Sequence, residues 1–215
     1  DAARLPDGPD GFVLELLGLA ALADPLRADI AAAVADCRGA GMRVVMITGD
    51  HPATARAIAR EAGLDGDAVL TGADIAALDD VALAAQLRGA NVCARIVPQQ
   101  KLRIVQALQH LGEVVAMTGD GVNDAPALRA ADVGVAMGLR GTDVAREAAE
   151  ITLLDDRFAS LVQAVRAGRR IYSNMRKSMA YVMAIHVPIA GMALLPVLFG
   201  WPVLLFPMHI VFLEL

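Results

Sequence analysis

The chain has 215 residues, of which 56% are hydrophobic, and its formal net charge is -5 at pH 7. This length suits one large or two small domains, and the hydrophobic share exceeds that of a typical soluble protein. Because the charge balance is acidic and no basic stripe accompanies the few aromatic residues, we expect no nucleic acid among the partners.

Short β-rich runs alternate with alanine-rich helical stretches between residues 12 and 158. The runs predicted as strands are FVLELLGL, RVVMI, NVCARI, EVVAM, VGVAM and EITLL. Helices are predicted from Asp29 to Arg38, from Pro52 to about Glu61 and from Pro98 to Leu111, because proline suits a first helical turn and glycine a helix end. The alternation predicts an α/β fold, a parallel Rossmann-like sheet with helices on both faces.

A long uncharged stretch occupies the end of the chain, with no Asp, Glu, Lys or Arg from Ser178 to Leu213. A helical bilayer span needs about 20 apolar residues, so the stretch is long enough for nearly two spans. Gly200-Trp201-Pro202 interrupts it, which predicts a tight turn with the tryptophan at the lipid-water interface. We therefore predict a helical transmembrane hairpin, with spans at about 179–199 and 203–215.

Basic residues gather just before the first predicted span. They are Arg166, Arg169, Arg170, Arg176 and Lys177. Since basic residues collect on the cytosolic side of a membrane, residues 1 to about 177 are predicted to be cytosolic and membrane lipid is an expected partner. The predicted domains are a cytosolic one over 1–165 and a stalk with the hairpin over 166–215.

Two further features bear on the compartment. Cys37 and Cys93 are far apart in sequence and lack metal-ligand spacing, so we expect reduced thiols in the cytosol. The amino-terminal string DAARLPDGPDGF has neither a basic start nor an apolar run, so it is not predicted to be a signal peptide. It has the character of a segment taken from a longer chain.

Two Thr-Gly-Asp triplets follow apolar strands, at Thr48-Gly49-Asp50 and Thr118-Gly119-Asp120. Ligands of an open parallel sheet bind at the carboxyl ends of its strands, so we predict that both loops face one ligand. The second loop continues to Asn123 and Asp124. Carboxylates beside turn-forming glycines suit Mg²⁺, which takes one or two carboxylates together with waters and phosphate oxygens.

Simpler interpretations exist for single residues of these loops. Asp50 is a plausible N-cap for the helix that begins at Pro52. Asp124 is a plausible N-cap for the helix that directly follows Asp124 itself. A helix N-terminus also attracts phosphate. Lys101 and Arg95 are candidate phosphate contacts near the same edge, although each alone is more typical of a solvated basic residue.

The string TGDGVNDAPALRAADVGVAMG resembles the hinge signature of P-type ATPases, a branch of the haloacid-dehalogenase superfamily. Four further strings occur in the family's order: LADPLR, GMRVVMITGDHPATA, ARIVPQQK and GRRIYSNMRKSM. The resemblance extends from about Phe12 and is greatest to the calcium-pump-like, cation-transporting branch and its bacterial relatives. It implies a haloacid-dehalogenase-type sheet, ATP as substrate, Mg²⁺ as cofactor and a bacterial plasma membrane as location.

The resemblance also implies roles for the second loop. Asp120 would be the Mg²⁺ ligand of a phosphorylation site, while Asn123 and Asp124 would support the phosphoryl group and the metal shell. The family reaction transfers the γ-phosphoryl group of ATP to an aspartate and then hydrolyses the acyl phosphate. Each step drives a cation through the membrane helices.

For the first loop, the resemblance implies that Thr48 hydrogen-bonds the phosphoryl oxygens, with Gly49 and Asp50 beside it. Lys101 would offset the negative charge of the phosphoryl group, and Arg95 would lie towards the nucleotide.

Several parts of such a pump are missing from the chain. The nucleophile motif Asp-Lys-Thr-Gly-Thr does not occur, and there is no room for the nucleotide-binding domain that follows it. The resemblance covers the second half of the phosphorylation domain, the fifth transmembrane helix and most of the sixth. The implied partners are therefore the actuator, the nucleotide-binding domain and helices one to four, and the chain alone is predicted not to form a phosphoenzyme.

The hairpin supplies candidate ligands for the transported cation. Aligned with calcium pumps from Tyr172, His186 and Glu214 each stand at an asparagine ligand, whereas Ile189 stands at a glutamate. Glu214 is a functional candidate because a carboxylate within a span is costly. For His186, an uncharged imidazole packed between helices is an equal alternative, and His209 is expected at an interface.

Two other functions fit parts of these observations. One is a membrane-anchored, Mg²⁺-dependent phosphohydrolase of the same superfamily, which needs an aspartate nucleophile after an early strand. The other is a non-enzymatic remnant or regulatory fragment that binds a pump. Coding sequence upstream of Asp1 separates these from the pump.

Overall fold

The structure is a computed structural model that describes residues 15, 17–18, 25–202, 206 and 209. Helices and strands alternate through the described part, as predicted. In chain order they are α1 (Ile30–Gly39), β1 (Met46–Ile47), α2 (Pro52–Glu61), β2 (Val69–Thr71), α3 (Gly72–Ala77), α4 (Asp80–Leu87), β3 (Val92–Ala94), α5 (Pro98–His110), β4 (Ala116–Gly119), α6 (Ala125–Ala130), β5 (Val133–Met137), α7 (Asp143–Ala148), β6 (Ile151–Leu153) and α8 (Phe158–Phe199).

The described strands form two parallel sheets rather than one, in the orders β1-β3-β2 and β4-β5-β6. In the first, Met46 and Val69 both pair with Val92. The two sheets adjoin, because Ile47 of β1 and Val115 beside β4 pack against the same two buried clusters. The adjoining edges are therefore β1 and β4. The strand predicted at FVLELLGL lies largely outside the described residues.

Helices cover both faces of each sheet, which confirms the predicted α/β fold. Alternate residues of β3 enter different clusters: Cys93 packs with α4 and α5, while Val92 and Ala94 pack with α2. In β5, Ala136 packs with α6 and α7, whereas Val135 packs with Leu161 of α8. Strands buried on both faces explain the continuous apolar runs of the sequence.

Local chemistry sets the helix ends. Gly63 and Gly112 follow α2 and α5 with φ of 77° and 82°, a backbone conformation that glycine adopts without strain, so both predicted stops are confirmed. Strand β2 was not predicted, because the sequence around it offers only the short apolar run Ala68-Val69-Leu70. A capping box follows it, in which the Thr71 hydroxyl accepts from the Asp74 N–H and the Asp74 carboxylate accepts from the Thr71 N–H. The hydrogen bonds from Thr71 lower the pKa of Asp74.

Helix α8 is continuous from Phe158 to Phe199. It has 42 residues, so it is about 63 Å long. Its first turns are packed, with Leu161 and Val162 buried, and Arg166 forms an ion pair of 2.7 Å with Asp36 of α1. Its apolar part covers 179–199 and, with a mean hydropathy of 2.1 over its most apolar window, makes α8 the one described helix long and apolar enough to cross a membrane.

Helix α8 ends where the Gly200-Trp201-Pro202 interruption was predicted. Gly200 has φ of 65°, and the Trp201 N–H donates to the Pro196 carbonyl over 2.8 Å. The rings of Phe199 and Trp201 stack with centroids 5.3 Å apart. Most of the second predicted span, including Glu214, lies outside the described residues.

Candidate functional site

The loop after β4 is organised around the carboxylate of Asp124. A short 3₁₀ turn over Val122–Asp124 directs this side chain backwards, where Oδ2 accepts hydrogen bonds from the N–H groups of Asp120 and Gly121, each 3.3 Å long. It makes no cap bond to α6. The predicted N-cap role of Asp124 is therefore wrong, because the 3₁₀ turn places the carboxylate over the preceding loop.

Lys101 completes this arrangement from the first turn of α5. Its Nζ lies 2.5 Å from Asp124 Oδ1, and the two side chains are only 22% and 8% exposed. Pro98 starts α5, so the lysine sits one turn from the helix end that adjoins the loop. The structure thus brings together two predicted site residues that are 23 positions apart, and it shields their ion pair from water.

Gly119 leaves the space that Asp124 occupies. A Cβ added at Gly119 would lie 2.6 Å from Asp124 Cβ and 2.9 Å from its Cγ, which is closer than such atoms approach. The glycine of the second Thr-Gly-Asp triplet is therefore required by the carboxylate behind it.

Asp120 and Asn123 are exposed on the same loop. Within the described residues, the Asp120 carboxylate has no hydrogen-bond or ion-pair partner, while its carbonyl accepts from the Thr142 N–H over 2.8 Å. No group of three or more His, Cys, Asp or Glu side chains gathers in the described part of the chain. One open carboxylate beside one neutralised carboxylate fits Mg²⁺, which keeps several waters and takes phosphate oxygens, better than a cation that needs a full protein shell.

The loop after β1 is hydrogen-bonded to the residues that follow β3. The N–H groups of Arg95 and Ile96 donate to the carbonyls of Asp50 and Thr48, each over 3.0 Å. The Thr48 hydroxyl donates to Asp50 Oδ2 over 3.0 Å and accepts from the Asp50 N–H over 3.1 Å. With Gly49 between them, these residues form a tight turn at the carboxyl end of the strand, in which Thr48 is half-buried and Asp50 is exposed.

His51, rather than Asp50, caps α2. Its Nδ1 accepts from the Ala53 N–H over 3.3 Å, with Pro52 at the first helical position. The predicted N-cap role of Asp50 is wrong because its carboxylate is already bonded to the Thr48 hydroxyl.

Arg95 is exposed and has φ of 55°, a left-handed conformation uncommon for a residue with a side chain. The bond from its N–H to Asp50 holds it there. Gly72 leaves room for it, since a Cβ at Gly72 would lie 2.3 Å from the Arg95 carbonyl oxygen.

Sequence reasoning missed Asp156. It is 5% exposed, and its carboxylate accepts from the N–H groups of Leu139 and Arg140 at 3.0 and 2.9 Å. Burial acts to raise the pKa of Asp156, but the hydrogen bonds from this loop and the charge of Arg27 outweigh it, so its pKa lies below the ordinary value. The available signal was the aspartate pair in LLDDRF, directly after a predicted strand.

The cysteines lie in the core and not at the site. Both are free and buried. Burial raises the pKa of the Cys93 thiol to about 12, although the charge of Arg43 acts in the opposite direction. These thiols are therefore packing groups.

Of the predicted cation ligands, only His186 is described. It lies on α8, with Nδ1 2.9 Å from the Val182 carbonyl oxygen. Pro188 follows within the same helix, and because proline has no N–H, the carbonyl of Ala184 lacks its usual helical donor. This missing hydrogen bond falls within the apolar part of α8, which remains one continuous helix.

Comparisons with known proteins agree with the α/β fold. The haloacid dehalogenase-like hydrolase family matches residues 4–132. The chain is 44% identical over 204 residues to calcium-transporting ATPase 1 of Bacillus cereus, covering 94% of this chain and 23% of the relative. It is 51% identical over 191 residues to the probable cation-transporting ATPase F of Mycobacterium tuberculosis, covering 84% of this chain and 21% of the relative.

Among solved structures, a zinc-transporting PIB-type ATPase in the E2.Pi state aligns with a TM-score of 0.63 and 32% identity. That alignment covers 89% of this chain and 26% of the solved chain. The chain thus spans about a quarter of the length of these relatives. It belongs to the haloacid dehalogenase-like hydrolase family, and its homologues are cation-transporting P-type ATPases.

Proposed function

We propose that the chain is part of a cation-translocating P-type ATPase, which couples ATP hydrolysis through an aspartyl phosphate to ion transport. The observation that carries the proposal is the shielded pair of Lys101 and Asp124 beside the open carboxylate of Asp120. This arrangement supports the proposal because it offers a cation for the phosphoryl oxygens and a carboxylate for Mg²⁺. The helix that leaves the same domain is apolar and long enough to cross a membrane.

Two edge strands could accept the strand that carries the proposed nucleophile. Strands β1 and β4 are the adjoining edges of two parallel sheets, and each has one unpaired side among the described strands. We propose that a strand ending in Asp-Lys-Thr-Gly-Thr pairs with both, as part of the polypeptide that normally precedes this chain. Its aspartate would then lie between Thr48 and Asp120, since carboxyl ends of parallel strands meet at one edge.

In the proposed reaction, a carboxylate oxygen of that aspartate attacks the γ-phosphorus of ATP, the bond to the β-phosphate oxygen breaks and ADP leaves. The Thr48 hydroxyl and Lys101 hold the equatorial oxygens, and Asn123 supports them from the second loop. Mg²⁺ held by Asp120 would neutralise charge on the phosphoryl group, with Asp124 fixing the loop that carries it. Water then cleaves the acyl phosphate and releases inorganic phosphate.

The proposed placement in the membrane is supported by the length and apolar character of α8. We propose an integral protein of a bacterial plasma membrane, with residues up to about 177 in the cytosol. The cation would pass beside the Ala184 carbonyl that Pro188 leaves without a helical donor, with His186 and Glu214 as ligands. The actuator, the nucleotide-binding domain with Arg95 towards its nucleotide, and helices one to four complete the pump.

The proposal is tested by ATP hydrolysis of the full-length protein across Ca²⁺, Mn²⁺, Zn²⁺, Na⁺ and K⁺. We expect one cation to stimulate hydrolysis and Glu214→Gln to abolish that stimulation. Arg60→Met, at an exposed ion pair remote from the site, serves as control and keeps wild-type stimulation. Hydrolysis that no cation stimulates would contradict the proposal, and unchanged stimulation in Glu214→Gln would remove that residue from the cation site.

A further inference from the structure

Asp156 stands between the last strand and the helix proposed to cross the membrane. It and Asp124 are the two buried charged residues of the described part of the chain, so it is as shielded as the carboxylate that organises the site. Its φ of 53° is left-handed, a conformation that aspartate and asparagine adopt more readily than other residues with a side chain. The proposed reaction assigns no role to this buried carboxylate.

Both oxygens of the Asp156 carboxylate are hydrogen-bonded to one loop. It accepts hydrogen bonds from the N–H groups of Leu139 and Arg140, which follow β5. Its own N–H donates to Leu153 over 3.2 Å, and its carbonyl accepts from the guanidinium of Arg27. Asp156 is thus fixed to two separate segments, the loop after β5 and the segment that carries Arg27, and by a local bond to the end of β6.

The loop that Asp156 holds leads directly to the site. The guanidinium of Arg146, in α7, donates to the carbonyls of two residues of this loop, Gly138 and Gly141. A Cβ at Gly138 would lie 2.7 Å from the Leu153 carbonyl oxygen, so the loop is packed tightly against β6. At its far end, the Thr142 N–H donates to the carbonyl of Asp120 over 2.8 Å. This bond supports the backbone of the residue whose carboxylate is open.

The opposite side of Asp156 is equally fixed. Arg157 forms an ion pair of 3.1 Å with Asp29. Helix α8 begins at Phe158, which packs against three buried clusters. Asp156 therefore joins the start of α8 to the loop that supports Asp120.

We propose that Asp156 is a positioning residue that holds loop 138–142 in place, so that the Thr142 N–H fixes Asp120 for Mg²⁺. The role in metal binding rests on the proposed function, whereas the role in holding the loop does not. Partners that orient a metal ligand typically contribute 10- to 100-fold to affinity. Loss of the Asp156 carboxylate is therefore expected to raise the Mg²⁺ requirement by about tenfold.

Substitutions can separate the carboxylate from the backbone. Glycine tolerates positive φ, so Asp156→Gly keeps the turn and removes both acceptors. Asparagine also tolerates this conformation, and Asp156→Asn keeps one acceptor oxygen. Asp155→Asn is the matched control, since the neighbouring aspartate is exposed and bonds instead to Ser160 and Arg157.

The first measurement is hydrogen exchange of the Thr142 amide in the whole chain without Mg²⁺. We expect faster exchange in Asp156→Gly, an intermediate rate in Asp156→Asn and the wild-type rate in Asp155→Asn. Wild-type exchange at Thr142 in Asp156→Gly would overturn the inference whatever the protein does.

The second measurement is the Mg²⁺ concentration that gives half-maximal phosphoenzyme in the full-length protein. We expect about a tenfold increase in Asp156→Gly, partial rescue in Asp156→Asn and no change in Asp155→Asn. An unchanged requirement in Asp156→Gly would overturn the inference. A wild-type protein that forms no phosphoenzyme would refute the proposed function, and the exchange measurement then decides the positioning role alone.

Discussion

Replacing Lys101 with methionine tests the pair at the centre of the site. The substitution keeps an unbranched apolar stem but removes the charge that faces Asp124, whose side chain is 8% exposed. Asp124 would then keep only the hydrogen bonds from the N–H groups of Asp120 and Gly121. Both are 3.3 Å long and too weak to replace the ion pair. Breaking a buried ion pair costs about 3–5 kcal/mol, and because Lys101 is partly exposed we expect about 3 kcal/mol.

Cys93 supplies the assay, because it is fully buried and its thiol becomes accessible only when the domain opens. The rate of thiol labelling at Cys93, followed against urea concentration and assigned by peptide mapping, gives the free energy of opening. Arg60→Met is the control, since its pair with Asp67 is exposed and contributes within about 0.5 kcal/mol. A loss in Lys101→Met no larger than in Arg60→Met would refute the reasoning, as would a double variant with Asp124→Asn that recovers none of the loss.

Three further predictions concern Gly119, Asp156 and Cys93. Gly119→Ala should destabilise by about 1–3 kcal/mol in urea unfolding, because its Cβ would collide with Asp124, whereas Gly49→Ala meets nothing within 4 Å and should not. The lowered pKa of Asp156 means that its contribution to stability is full above the unfolded pKa of about 3.9 and is lost as pH falls through the folded pKa. The stability gap between wild type and Asp156→Asn should therefore be constant from about pH 5 to 7 and shrink below about pH 4, whereas a gap that widens in acid would contradict this. Finally, Cys93, with a pKa of about 12, should resist thiol reagents at pH 8 in the folded chain and react once the chain is unfolded in urea.

The sequence predicted those features that depend on local chemistry. Pro52 and Gly63 bound α2 as expected, and so do Pro98 and Gly112 around α5, because proline and glycine act on their own backbone. Strands buried on both faces were recognised by continuous apolar runs. The segment around β2 offers only the short apolar run Ala68-Val69-Leu70, and the strand takes its stability from pairing with β3.

The details of the site depended on contacts that sequence spacing does not encode. Asp50 and Asp124 are suitable N-cap residues by type, but each forms a hydrogen bond within its own loop first. The pairing of Lys101 with Asp124 requires α5 to pack beside the second loop, which only the tertiary fold determines. Asp156 was missed for the same reason, since its partners come from a different strand end.

The central claim is tested most directly by trapping the phosphorylated protein with γ-labelled ATP and Mg²⁺. We expect acid-stable, hydroxylamine-sensitive label on the full-length protein, on an aspartate that precedes this chain, and much less label when Asp120→Asn is present. The chain alone should take up no such label. Hydroxylamine-sensitive label on the chain alone, or none on the full-length protein under any cation tested, would contradict the account.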